Sequence, residues 1–112
     1  MAASSDQWRN ILDTKRRKDL RQIAHHLRPV VIVGNGGVSS GVLGEIERAL
    51  TDHELIKIRV SALERDARVA AISQIVEATG ALLVQTIGKI MVLYRANPDA
   101  DPDLSNLTRR AN

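Results

Sequence analysis

The spacing of hydrophobic residues changes several times along this chain, and each change predicts an element of secondary structure. From about residue 13 to residue 27 the spacing is that of one helix face, i, i+3, i+4 and i+7. The residues on that face are Leu20, Ile23, Ala24 and Leu27. Asp13 can cap the first turn of this helix, and Pro29 stops it because a residue before proline disfavours helical geometry.

A strand and a second helix are predicted next. Residues 30–33 form a short β-branched run, VVIV, between a proline and a glycine, which predicts a strand buried on both faces. Ser39 or Ser40 can then cap a helix that ends near Thr51. The apolar stripe of this helix consists of Val42, Leu43, Ile46, Ala49 and Leu50.

The second half of the chain predicts one more helix and three more strands. The segment LIKIRV, residues 55–60, alternates apolar and basic residues, as a strand with one wet face does. A helix follows from about residue 64 to residue 79, and Gly80 ends it. The segments ALLVQTI and IMVLYR are predicted strands joined by the two-residue turn Gly88-Lys89.

The order αβαβαββ predicts an α/β fold, an α+β sandwich in which helices cover a mixed four-stranded sheet. We expect residues 12–95 to form this domain and residues 1–11 to be a flexible extension. Residues 96–112 are rich in Asp, Asn and Pro and have no apolar period, so we expect them to be a disordered tail.

Aromatic rings and sulfur chemistry are scarce in this sequence. The chain has no Phe and no Cys, and its aromatic side chains other than histidine are Trp8 and Tyr94. A row of base-stacking rings is therefore excluded, as are disulfides, zinc–thiolate sites and thiol nucleophiles. No apolar run approaches the roughly 18 residues of a membrane span, and no signal-peptide pattern is present. We expect a cytoplasmic protein without a membrane partner.

Positive charge is concentrated on the first predicted helix. Residues 14–28 hold six Lys or Arg and one Asp, a local charge of +5, whereas the whole chain carries +3. Five basic side chains fall within a helical sector about 100° wide beside the apolar stripe. They are Arg17, Lys18, Arg21, His25 and Arg28. Acidic partners at i+4 are missing, so a phosphate-binding ridge is favoured over a merely solvated helix face.

The glycine cluster GNGG at residues 34–37 admits three interpretations. A dinucleotide-binding loop needs G-x-G-x-x-G, which fails because Ser39 stands at the third glycine position, although Glu54 lies about where a ribose-binding acid is expected. A nucleotide phosphate loop fails because its lysine is missing. The remaining interpretations are a G-x-x-G loop that clamps a nucleic-acid backbone and a tight turn without a ligand.

The other polar residues add less. Lys57 and Arg59 share the wet face of the predicted strand 55–60, where they either extend the basic surface or only keep that face soluble. His25 and His26 are adjacent and point to different sides of a helix, unlike an i, i+4 metal pair. No nucleophile is paired with a base, so we predict no enzyme, no metal, no cofactor and no small-molecule substrate.

Three segments of the sequence, in order and with matching spacing, resemble the YhbY-like family, the bacterial single-domain form of the CRM domain (chloroplast RNA splicing and ribosome maturation). They are KRRKDLRQIAHHLRPVVIVGNGGVSSGVLGEIERAL, HELIKIRV and ATGALLVQTIGKIMVLYR, and the resemblance as a whole covers about residue 12 to residue 95. The resemblance implies a compact αβαβαββ domain similar to the C-terminal domain of translation initiation factor 3, and RNA binding without catalysis.

The resemblance also implies a partner and a set of contact residues. The partner is structured ribosomal RNA, 23S RNA in precursors of the large subunit, during ribosome biogenesis, and we expect the protein to be a monomer. The loop maps onto Gly34, Asn35, Gly36 and Gly37. The basic helix maps onto Lys15, Arg16, Arg17, Lys18 and Arg21. Many members carry lysine where this chain has Asn35. The alternatives are a protein-interaction module on ribosomal particles and a small dinucleotide-binding protein.

Overall fold

The structure is a computed structural model that describes residues 13–61 and 64–107. Its elements are α1 (Thr14–Ala24), β1 (Pro29–Val33), α2 (Ser40–His53), β2 (Leu55–Val60), α3 (Arg65–Thr79), β3 (Leu82–Ile87) and β4 (Ile90–Tyr94). The strands form one sheet in the order β1-β2-β4-β3, with β1 parallel to β2 and the other neighbours antiparallel. The predicted αβαβαββ sandwich with a mixed four-stranded sheet is confirmed. No helix in the described part of the chain is long and apolar enough to cross a membrane.

Two helices begin at side-chain caps that the sequence supplies. The Asp13 carboxylate accepts a hydrogen bond from the backbone N–H of Arg16 at 2.7 Å. The Ser39 hydroxyl accepts one from the backbone N–H of Val42 at 3.1 Å. Each cap satisfies a backbone donor that the first turn of a helix leaves without a partner. The predicted starts of α1 and α2 are therefore confirmed.

The helices end close to the predicted positions. α3 ends at Gly80, whose φ of +68° is the left-handed conformation that glycine adopts without strain. α2 runs on to His53, past the predicted end. α1 ends at Ala24, earlier than predicted, because the N–H groups of His26 and Leu27 donate to carbonyls three residues back and tighten the last turn.

Each face of the sheet carries its own apolar layer, and the two layers are unequal. The face covered by α2 and α3 buries Val31, Val33, Ile46, Leu50, Ile56, Ile58, Val60, Ala71, Ile75, Ala81, Met91 and Leu93. The face covered by α1 buries Leu20, Ala24, Leu55, Val84 and Val92. Alternation along β2 and β4 sends successive side chains to opposite layers. The smaller layer leaves part of its face uncovered.

β1 is an edge strand and is not buried on both faces, which corrects the prediction made from VVIV. Val31 and Val33 are buried against α2, whereas Val30 is 49% exposed and Ile32 is 62% exposed. The cause is the position of α1, which packs on β2 and β3 and leaves the outer face of β1 bare. A short β-branched run is compatible with a strand buried on both faces and with a strand buried on one face. The docking of α1, which is distant in sequence from β2 and β3, decides which of the two occurs.

Residues 96–107 do not form the predicted disordered tail, because they are held at the start of β2. The buried Glu54 carboxylate accepts hydrogen bonds from the Ser105 hydroxyl at 2.6 Å and the Asn97 N–H at 2.8 Å. The Asn106 amide donates to the Leu55 carbonyl at 2.6 Å. These contacts join residues that are far apart in sequence, so the polar composition of the segment does not reveal them.

The same contacts change the interpretation of Glu54. Its carboxylate is committed to the C-terminal segment, at the end of the sheet opposite residues 34–37. It therefore does not stand where a ribose-binding acid would be needed. The predicted flexible extension, residues 1–11, lies outside the described residues, as do residues 108–112.

Candidate functional site

Residues 34–37 form the turn that leads from β1 into α2. The Gly37 N–H donates to the Gly34 carbonyl at 3.0 Å, so Asn35 and Gly36 are the central residues of a β-turn. Gly37 has a φ of +70°, which favours glycine. A Cβ atom on Gly34 or Gly36 would meet no atom within 4 Å, and neither residue has a positive φ. The fold itself gives no steric reason for glycine at 34 and 36, whereas a ligand that approaches the bare backbone would.

Two of the predicted RNA-binding arginines hold α1 on the sheet. The Arg17 guanidinium donates through Nη1 to the carbonyls of Leu83, at 2.9 Å, and Val84, at 2.7 Å. The pairing of β3 with β4 shifts register at this point, so the arginine binds carbonyls where the ladder is disturbed. The Arg16 guanidinium carbon lies 5.4 Å from the centroid of the Tyr94 ring, a cation–π contact. Arg17 therefore has a structural role, because its guanidinium is hydrogen-bonded to the backbone of β3.

Four other predicted residues meet at a groove between α1 and the sheet. The groove has a volume of about 390 Å³. It is lined by Lys18, Arg21, Gln22, Ala24, His25, Lys57, Gln85 and Ile87. Within residues 13–61 and 64–107, no hydrogen bond or ion pair engages the charged groups of Lys18, Arg21 and Lys57. We call these three the groove cations.

Arg59 extends the basic surface from the groove toward the glycine loop. Side chains alternate along a strand, so Lys57 and Arg59 project from the same face of β2, roughly 7 Å apart. Arg59 pairs with Ile32 of β1 and with Ile90 of β4. β1 ends one residue later at Val33, and the glycine loop follows. The open half of the sheet therefore connects the groove with the loop.

Two predicted residues stand apart from the groove. Arg28 lines a separate depression of about 200 Å³ together with Val30 and His53. It leaves the predicted ridge because α1 ends at Ala24, so the helical angle no longer applies at residue 28. Lys15 is exposed on the first turn of α1 and does not line the groove. In the described ranges, no three His, Cys, Asp or Glu side chains are grouped closely enough to hold a metal ion.

Besides Ala24 of the apolar stripe, three residues that line the groove were not predicted from the sequence as site residues, namely Gln22, Gln85 and Ile87. A signal for each was present. Gln22 lies four residues after Lys18 and therefore on the same face of α1. Gln85 and Ile87 are two apart on β3, so alternation places them on one face of the sheet. What the sequence lacked was the pairing that brings this face of β3 next to α1.

Comparison with known proteins decides the family. The family model described as the CRS1 / YhbY (CRM) domain matches residues 12–95. The chain belongs to this family. The resemblance noted in the sequence is thereby confirmed, and the CRM-domain match covers the chain from α1 to β4.

Relatives of this CRM-domain protein are similar over most of its length. A Pseudomonas aeruginosa protein named "Probable RNA-binding protein" is 45% identical over 100 residues, 89% of this chain and 96% of that protein. A Haemophilus influenzae protein named "RNA-binding protein" is 49% identical over 89 residues, 80% of this chain and 90% of that protein. The solution structure of a hypothetical protein from Staphylococcus aureus matches with a TM-score of 0.69 and 32% identity, covering 81% of this chain and 95% of that one.

The contacts of α1 predict that two arginines on the same helix differ in their contribution to folding. Arg17→Gln removes the hydrogen bonds to Leu83 and Val84, and we expect it to lower the free energy of unfolding by about 1–3 kcal/mol. Arg21→Gln removes no hydrogen bond or ion pair within the described residues, and we expect a change within about 0.5 kcal/mol. Urea denaturation followed by circular dichroism measures both. Equal midpoints for the two variants would contradict the structural role of Arg17.

Proposed function

We propose that this CRM-domain protein is a non-catalytic cytoplasmic RNA-binding protein whose partner is structured ribosomal RNA, specifically 23S RNA in precursors of the large subunit. The observation that carries the proposal is the set of groove cations, Lys18, Arg21 and Lys57, which form no ion pair with any described residue and line one groove. The names of the bacterial relatives support the class of partner. The ribosomal partner rests on the family resemblance.

The groove cations suit a phosphodiester backbone. A cation that is already neutralised gains little from a phosphate, whereas an unpaired one releases counterions from the RNA when it binds. Arg59 adds a further exposed positive charge on the path to the glycine loop. The geometry therefore supports a track of several phosphate contacts and not a single anion site. His25 also lines the groove and offers a ring nitrogen for a hydrogen bond.

The glycine loop forms the second part of the proposed interface. Gly34 and Gly36 leave the backbone of the turn open to a ligand, and α2 begins two residues after Gly37 through its Ser39 cap. Backbone N–H groups at the start of a helix favour a phosphate oxygen. Asn35 contributes hydrogen-bonding groups without charge. In this proposal the loop positions the RNA, and the groove cations supply most of the electrostatic attraction.

Recognition by shape and backbone follows from the shortage of aromatic rings. Among the described residues, Tyr94 carries the only aromatic ring other than those of the histidines, and the Arg16 guanidinium already lies over that ring. Stacking of several bases is therefore unavailable, and phosphate contacts must carry the affinity.

We expect affinity to fall steeply with salt and to depend on the groove cations. For a defined RNA hairpin, Lys18→Gln, Arg21→Gln and Lys57→Gln together should weaken binding about 10- to 100-fold and flatten the slope of log K against log salt by roughly 2–3. Fluorescence anisotropy between about 50 and 200 mM salt measures both quantities.

A matched control uses two exposed arginines on the opposite face of the sheet. Arg48 lies on α2 and Arg65 on α3, and both are exposed. The variant Arg48→Gln with Arg65→Gln changes the net charge by a similar amount and should leave the salt slope nearly unchanged. A salt-independent affinity of the unmodified protein, or equal losses in both variants, would overturn the proposed site.

The glycine loop generates a separate expectation. Gly34→Ala with Gly36→Ala should leave folding nearly intact, because the added methyl groups meet no atom within 4 Å, yet should reduce RNA affinity about tenfold by blocking close approach. Gly44→Ala, an equally uncrowded position on α2, is the control and should bind RNA normally. Binding titration and thermal melting are measured on all three proteins. Undiminished affinity of the double variant in a folded protein would remove the loop from the interface.

The ribosomal partner is tested by sedimentation. The tagged protein should migrate with large-subunit precursors in a sucrose gradient, and ribonuclease should release it. The bare apolar side chains Val30 and Ile32 on the edge strand favour one competing function, a protein-interaction module on the same particles. That function predicts retention on ribonuclease-resistant protein complexes. Saturable binding of NAD in a calorimeter would instead support the dinucleotide alternative.

A further inference from the structure

We infer that the groove between α1 and the sheet accepts one unstacked nucleotide, so that the protein recognises a bulged or flipped-out base beside the double-helical part of its RNA. The inference deepens the proposed function and rests on it. It comes from the groove residues that phosphate binding leaves unexplained, namely Gln22, Gln85 and Ile87.

The two glutamines supply what a base edge needs. Each side-chain amide offers two donors and one carbonyl acceptor, and a glutamine can pair in bidentate fashion with an adenine edge. Within the described residues, neither amide has a hydrogen-bond partner. One comes from α1 and the other from β3, so they approach the groove from opposite walls. A phosphate, which only accepts hydrogen bonds, would leave their carbonyl oxygens unused.

The floor of the groove suits the face of a base. Ala24 and Ile87 are the apolar lining residues, and Ile87 is 58% exposed whereas Ala24 is buried. A planar base laid on Ile87 would remove apolar surface from water. The groove cations stand at the same opening and can hold the phosphates on either side of that nucleotide.

The shape of the groove excludes a paired base. Double-helical RNA hides the major-groove edges of its bases in a deep, narrow groove and displays the other edges only at its shallow minor-groove surface, so a paired base cannot be inserted into a cleft of the protein. A volume of about 390 Å³ lies at the small-molecule end of the range for ligand pockets, which fits one nucleotide and not a stack of several. Only a nucleotide that leaves the helix can therefore enter.

The test compares two RNAs of equal length and charge distribution. One is a fully paired hairpin, and the other carries a single bulged nucleotide in the middle of its stem, made in four versions with A, C, G or U. Anisotropy titrations at a constant 150 mM salt yield the ratio of the two dissociation constants. We expect the best bulged RNA to bind about tenfold more tightly than the paired hairpin, the discrimination typical of a few base-edge contacts.

Variants then assign the gain to the groove. Gln22→Ala with Gln85→Ala should bring the ratio close to one while leaving the affinity for the paired hairpin within about twofold, since no phosphate contact is lost. Gln74→Ala, an exposed glutamine on α3 at the opposite face, is the matched control and should keep the full ratio. Thermal melting of each variant checks that the fold is intact.

The outcomes separate the inference from the proposed function. Binding to the paired hairpin with no gain from any of the four bulges would overturn the nucleotide groove and leave the RNA-binding proposal standing. Binding to neither RNA would overturn both.

Discussion

Within the described part of the chain, one face of the four-stranded sheet is packed against a single helix, α1, which is too narrow to cover it. The groove and the exposed apolar residues beside the sheet follow from this mismatch. Strands about 4.8 Å apart make the sheet roughly 15–19 Å wide, whereas a helix with its side chains is about 10–12 Å across. α2 and α3 together cover one face, and α1 is the one of these three helices that lies on the other. The edge of α1 on this face forms the groove, which the exposed Ile87 lines, and Ile32 lies exposed on the uncovered strand β1.

The position of the groove depends on how α1 is fastened. Leu20 and Ala24 bury its apolar face, and the two hydrogen bonds from Arg17 attach it to β3 where the strand pairing is irregular. The C-terminal segment adds Leu107 to the same apolar layer. These contacts leave α1 over the half of the sheet where β2 begins, and the half nearest the glycine loop remains open. The candidate interface is consequently formed by three elements together, the glycine loop, α1 and β2.

Arginine and lysine have two distinct uses in this CRM domain. Arg95 donates to the Glu47 carboxylate and to the Thr79 carbonyl and so ties α2 and α3 to the end of β4, as Arg17 ties α1 to β3. Such cations are satisfied by the fold. The groove cations Lys18, Arg21 and Lys57 have no such contacts among the described residues, and they remain available to a ligand. Positive charge counted along the sequence therefore overstates the charge that faces a partner.

Local chemistry determined the elements of this protein, whereas long-range packing decided its surface. Asp13, Ser39 and Gly80 set helix ends through contacts within a few residues, and alternation in LIKIRV set the two faces of β2, so the sequence alone predicts them. The exposure of Ile32, the use of Arg17 and the meeting of Lys57 with Gln85 depend on segments that are distant in sequence. Hydrophobic spacing specifies which residues of an element face the core. The docking of α1 on the sheet decides which part of the sheet surface stays exposed to a ligand.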